Sequence, residues 1–246
     1  METVSQNKID DLIENGFALK VSEYISGGFQ MVKDNLGPFI GFTVLMFIIN
    51  SAAGMVPFGA VAVGAPLSAG LFIAANKVSR GYELQFADFF KGFEYFGQLV
   101  VYTLLLVLMF AALAVPMGIM IFSMVAMDFN EGPAILIGLV FGLAIFAVAI
   151  YLAVSFMWAP YLIVFGKKKA WESMETSRNI IKNDFWNFLG FGLLLGFINL
   201  AGLLCFGVGL LYTIPATACA LYLAFEDVTD LRLENSGTYI EDHLVD

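Results

Sequence analysis

The chain has 246 residues, of which 60% are hydrophobic and 13% charged. A soluble domain is nearer half apolar and a quarter charged. The net charge of −9 and the single histidine leave no expectation of a nucleic-acid partner and too few imidazoles for a histidine-built metal or hydrolase centre.

The first residues, METVSQNKIDDLIENG, are polar and acidic. They lack the apolar core and small-residue cleavage site of a secretory signal. FALKVSEYISGGFQMVK follows as an amphipathic approach segment interrupted by Gly27-Gly28. Residues 1–35 are therefore read as a cytoplasmic N-terminal segment carrying an approach helix.

Residues 35–76 hold no Asp, Glu, Lys or Arg, and the same is true of 95–127, 132–166 and 185–225. A helix crosses the hydrocarbon core with about 20 apolar residues. The first block is too long for one helix and carries Gly54, Pro57 and Gly59, which punctuate a turn. It reads as helices near 38–55 and 60–78. The two middle blocks predict single long helices, near 98–126 and 134–165, with Pro116 and Pro160 as candidate kinks. The last block breaks at FGVG, residues 206–209, into helices near 186–205 and 210–226. These six helices form the expected transmembrane domain, 36–226, and residues 227–246 an acidic cytoplasmic tail. The fold class is all-α: a polytopic membrane helical bundle.

Orientation follows from the basic residues, because retained loops hold Lys and Arg on the cytoplasmic side. With six spans, all twelve fall on one side, and both termini are expected in the cytoplasm of a bacterial inner membrane protein.

Two phrases repeat. GPFIGFTVLMFIIN from Gly37 matches WNFLGFGLLLGFIN from Trp186. At a constant offset of 149, Lys33 meets Lys182, Asn50 meets Asn199 and Pro66 meets Pro215. Helices one–two and five–six are read as a duplicated parallel hairpin, related by an axis along the membrane normal.

The connections between spans are patterned. Phe86, Phe89, Phe90, Phe93 and Phe96 share one face of a helical segment, and Asp88, Lys91 and Glu94 the other. That describes an interfacial amphipathic helix. Lys167, Lys168, Lys169 and Trp171 open a second such segment. These residues form the candidate lipid or partner interface.

No acid, base or nucleophile constellation appears inside a span, where ionisable groups are costly and kept for a task. No enzyme activity, catalytic residue, metal site or cofactor is expected. Asn50, Asn199, Pro66 and Pro215 are candidates either for helix packing or for lining a cavity, since a buried amide seeks a partner across a helix interface. Two functions remain open. One is a scaffold or accessory subunit that binds membrane lipids or a protein partner in a larger complex. The other is a carrier or channel for a small or lipid-like solute, with its site between the hairpins.

YISGGFQMVKDNLGPFIGF, TSRNIIKNDFWNFLGF and GVGLLYTIPATACALYLAFEDV together resemble a broad group of bacterial six-span membrane proteins of unknown function. The pattern is similar to the membrane domain attached to some glycerophosphoryl diester phosphodiesterases. The resemblance covers about residues 20–228 and implies a fold without assigning any catalytic residue.

Overall fold

The computed structural model describes residues 17–126 and 132–229, together with Ile9, Leu12 and Leu231. The acidic loop at 127–131 and nearly all of the C-terminal tail, His243 included, lie outside the described residues. Among the described residues every regular element is helical.

Helix α1 (Val21–Asp34) is the approach segment. Helices α2 (Leu36–Ala53) and α3 (Gly59–Ser79) form the first hairpin. A ten-residue 3₁₀ helix (Phe86–Tyr95) leads into α4 (Phe96–Ala126), which pairs with α5 (Gly132–Ser155). A short α6 (Ala159–Val164) extends the line of α5 beyond a break. Helix α7 (Ala170–Ile181) then leads into the last hairpin, α8 (Phe185–Leu204) and α9 (Leu210–Thr229).

Five of these stretches are long and apolar enough to cross a membrane. That makes the chain a multi-pass membrane protein. Helix α9 is not among the five; its last turn carries Glu226 and Asp227, three and two residues short of its end at Thr229.

Two other expectations change in detail. Pro116 lies within a continuous α4, whereas the chain turns at residues 156–158, just before Pro160. The expected single helix over 134–165 is thus two. Proline at the second position of α6 starts a helix without loss, because the N–H it lacks has no intrahelical partner there.

The turns away from the basic residues place Phe58 at φ 62° and Gly207 at φ 74°. Only glycine adopts that left-handed backbone without a Cβ penalty.

Each interfacial element lies across a helix of a different hairpin. Helix α1 packs on α9, the 3₁₀ helix on α3, and α7 on the α5–α6 junction. The first two contacts are close because glycine stands at the crossing. A Cβ on Gly28 would come within 2.5 Å of the Ala216 carbonyl oxygen. A Cβ on Gly92 would overlap the Pro66 carbonyl oxygen, and one on Gly70 the Phe89 carbonyl oxygen. At the third crossing, Ser177 donates its hydroxyl to the Ser155 carbonyl at 2.8 Å and accepts from the Trp158 N–H at 3.3 Å.

Helices α3, α6 and α9 occupy the centre. Their buried side chains form an aromatic layer towards the basic end. Phe72 stacks on Tyr161 at 4.2 Å, and Phe225 sits between Tyr161 at 5.3 Å and Trp158 at 5.6 Å. Within a bilayer such rings add contact area and quadrupole geometry, since lipid is as apolar as the core.

Candidate functional site

Between α3, α8, α9 and the Pro160 break lies a cavity of about 520 Å³. Its wall takes Ala65, Ser68 and Phe72 from α3, Gly192, Leu195, Gly196 and Asn199 from α8, and Ile214, Thr217 and Ala218 from α9. Tyr102 of α4 and Met157, Pro160 and Tyr161 also border it. No lining residue is ionisable as Asp, Glu, Lys, Arg or His.

The small residues make the space. Gly192 and Gly196 lie one turn apart on α8, opposite Ala65 and Ala218, so no side chain fills the volume between the helices. Ser68 and Gly196 are exposed and stand in the middle of their helices. The opening is therefore at mid-span depth.

Towards the basic end the cavity is closed by the aromatic layer and, beyond it, by a polar lock. Asn76 donates to the Tyr222 hydroxyl at 2.7 Å, which donates to Glu226 at 3.1 Å, and Ser79 donates to the same carboxylate at 2.6 Å. Tyr24 donates to Asp227 at 2.7 Å, and Lys20 lies 3.5 Å from it. Burial, and then the bond to Asp227, push the Tyr24 hydroxyl up to about 12.

The four residues expected at a packing or cavity site separate. Asn199 lines the cavity; its amide donates to the Leu195 carbonyl at 3.2 Å and to Thr217 Oγ1 at 3.1 Å. Because a carbonyl only accepts, these bonds fix which end of the amide is the nitrogen. Asn50 donates to the Met46 carbonyl at 2.8 Å and does not border the cavity. Pro66 and Pro215 are buried and do not border it; Pro66 offers its carbonyl at the Gly92 crossing.

The phenylalanine face is partly turned inward. Phe89 is fully buried, stacked on Phe42 at 4.4 Å and edge-on to Phe39 at 5.3 Å. Phe90 and Phe93 are half-buried, while Phe86 and Phe96 are 45% and 42% exposed. In a 3₁₀ helix residues three apart eclipse. Phe86, Phe89 and Gly92 therefore form one row, laid against α3, and Phe90, Phe93 and Phe96 the next. Asp88, expected on a solvated face, is buried instead. It accepts from Lys77 at 2.7 Å, from the Gln85 N–H at 2.8 Å, and from Lys91 at 2.8 Å. Its partner Lys77 comes from α3, which the local pattern of the loop could not reveal.

Of the basic run, Lys167 adopts φ 49° and Lys168 pairs with Glu172 at 2.8 Å. Lys169 precedes α7, and Trp171 is 64% exposed. Pro160 was legible as a candidate kink, but nothing local says that it meets Tyr102 and Tyr161 at the cavity. Both cysteines are free thiols, Cys205 exposed and Cys219 buried. Among the described residues no three metal-ligating side chains gather.

No family model, curated protein or solved structure matches this chain.

Proposed function

We propose that this protein binds an uncharged, lipid-like molecule within the bilayer, in the cavity between the first and last hairpins, and catalyses no reaction on it. The observation that carries the reading is the cavity itself. It is large enough for a small-molecule ligand, lacks charge, opens at mid-span depth, and is sealed towards the basic end. A solute reaching it from that side meets two closed layers. A molecule dissolved in hydrocarbon meets Ser68 and Gly196 directly. Ser68, Asn199 and Thr217 supply hydrogen-bonding groups for one polar substituent.

The reading includes six spans, with α9 as the sixth and the basic end in the cytoplasm of a bacterial inner membrane. It also includes the repeated hairpin. At the 149-residue offset the paired positions behave alike: Phe39 and Phe188 are fully buried, and Asn50 and Asn199 each bond the carbonyl four residues back. The left-handed Phe58 and Gly207 also coincide. The middle hairpin is a third unit of the same kind. Each unit has an interfacial element, a first span and a second span containing or broken near a proline. The elements with Gly28, Gly92 and Ser177 each cross the second span of the preceding unit, in a closed cycle. The resemblance to six-span membrane domains without catalytic residues fits this architecture.

The test is to fill the space. Ala218→Phe and Ala65→Phe place a ring in the cavity while leaving the basic-end lock untouched. Purified protein is extracted with organic solvent and the lipids are weighed by mass spectrometry. A neutral lipid retained by the native protein and lost from both variants, at unchanged unfolding temperature, is the expected result. Equal retention by all three proteins rejects the cavity as the site.

A second reading, an accessory subunit, is favoured by the middle hairpin. Leu108, Ile119 and Phe122 on α4, and Leu139, Leu143 and Phe146 on α5, are each at least 60% exposed. A partner helix packed along this hairpin would protect a cysteine at Leu143 from maleimide labelling in native membranes but not after purification.

A further inference from the structure

We propose a second binding site, for an anionic phospholipid, where α7 crosses the middle hairpin. It rests on the membrane reading and is independent of the central cavity. Met109 of α4, Leu152 of α5 and Met174 of α7 floor a groove of about 280 Å³, and its mouth carries Trp171, Glu175 and Arg178. A wholly apolar molecule gains nothing from that charged rim. A small water-soluble anion gains nothing from the floor. A phospholipid presents both an acyl chain and a charged phosphate.

The level in the membrane agrees. Helix α7 lies between Lys167–Lys169 and Lys182, at the basic end where anionic headgroups attract cations. Trp171 is 64% exposed there, and an indole with an apolar body and an N–H prefers the headgroup boundary. The arginine is also available. Among the described residues its carboxylate partner is Glu175 at 4.0 Å, and its side chain is 43% exposed. A guanidinium so loosely engaged keeps donors for two phosphate oxygens. Lys182, exposed and four residues on, shares its side of the helix. Glu172 is already occupied by Lys168 at 2.8 Å, which leaves Glu175 as the one carboxylate at the mouth among the described residues. Met109 and Met174 can adjust to an acyl chain of any unsaturation.

The experiment uses the full chain in phosphatidylcholine vesicles containing a minor fraction of a dibrominated lipid, either phosphatidylglycerol or phosphatidylcholine. Bromine quenches nearby tryptophan. The Trp171 signal is the part of the fluorescence absent from Trp171→Phe. Brominated phosphatidylglycerol should quench that signal as if enriched about fivefold over brominated phosphatidylcholine, the factor one arginine contributes near an anionic surface. Arg178→Gln should abolish the preference, Arg178→Lys should keep part of it, and Leu152→Phe, which shortens the groove, should reduce quenching by both lipids. Equal quenching of the native protein by the two lipids overturns the proposal. So does a preference that survives Arg178→Gln, which would assign it to the general basic surface. No quenching by either lipid would overturn the membrane reading along with it. Filling the central cavity with Ala218→Phe should leave this signal unchanged, so failure of one site is distinguishable from failure of the other.

Discussion

Replacing Gly92 with alanine adds one methyl group at the crossing of the 3₁₀ helix and α3. Built on the present backbone, that carbon overlaps the Pro66 carbonyl oxygen and lies 3.0 Å from both the Ala69 Cβ and the Gly70 nitrogen. None of these atoms belongs to a side chain that can swing away. The 3₁₀ helix must lift off α3, and Phe89 lifts with it from between Phe39 and Phe42. Overpacking of this kind costs about 1–3 kcal/mol. Partial exposure of Phe89 adds about 1 kcal/mol of the ~1.5–3 kcal/mol that full burial of such a side chain contributes. The expected loss is about 2–4 kcal/mol. Gly190→Ala is the matched control. Nothing lies within 4 Å of the added carbon there, and alanine is the better helix former by about 0.8–1 kcal/mol. The same chemical change should thus destabilise at one site and stabilise slightly at the other. Unfolding of the detergent-solubilised protein by sodium dodecyl sulfate, followed by circular dichroism, measures both. If Gly92→Ala unfolds with the native protein, or if the two variants fall together, the close crossing is not what holds the 3₁₀ helix.

Asp88→Ala should cost about 3 kcal/mol in the same titration, because it leaves Lys77 facing a buried gap without its carboxylate; Lys91→Ala, whose side chain is 48% exposed, should cost less than about 1 kcal/mol. Tyr24 favours its neutral form in the folded state, so its contribution is complete below its ordinary value near 10 and is lost as pH rises through about 12. An alkaline fall in unfolding midpoint that persists unchanged in Tyr24→Phe would exclude Tyr24 as its source. Asn199→Leu should reduce retention of the neutral lipid, and Asn50→Leu, which makes the same bond to its own helix outside the cavity, should not. For topology, cysteines placed at Val56 and Tyr82 in a Cys205→Ser background should label from opposite sides of intact cells, Val56 from outside.

The spans were legible because their signal is local: a charge-free block announces itself without reference to any other part of the chain. The breaks were half legible. Pro160 and Pro116 look alike in sequence, yet only the first lies beside a turn in the structure, where Ser177 of α7 bonds the junction at 155–158, while Pro116 lies within a continuous α4. The aromatic face at 86–96 was legible as a pattern but not as an environment. Periods of 3 and 3.6 place these phenylalanines on nearly the same side over three turns, and whether that side meets lipid or α3 depends on glycines at 70 and 92, one of them on another helix. Asp88 failed for the same reason, its principal partner lying eleven residues away across a turn. At the site, Asn199 stood out as a polar residue within an apolar helix, but the cavity exists because Gly192, Gly196, Ala65 and Ala218 fail to fill it. Absence of volume at four dispersed positions leaves no sequence pattern.

The cycle of crossings explains why the cavity can exist in a bundle held so firmly. At the basic end each hairpin is tied to another by an element outside the spans: Gly28 on α9, Gly92 on α3, Ser177 on the α5–α6 junction. Those ties, with the Glu226 and Asp88 hydrogen bonds, act where water is near and apolar burial still drives association. Deeper in the membrane that driving force is gone, and helices stay together only through packing and hydrogen bonds. The far halves of α4 and α5 accordingly keep apolar side chains exposed, Ile119 and Phe122 on one and Leu139 on the other. A bundle clamped at one end and loose at the other opens a wedge between its helices, and the wedge is widest where residues are smallest. That is the position of the cavity. The same reasoning orders the variants: changes at the clamp should lower stability without selecting among ligands, and changes at Ala65, Ala218 or Asn199 should alter ligand retention with little effect on unfolding. A clamp variant that lost the lipid while keeping its unfolding midpoint would break this separation and place the binding site at the basic end.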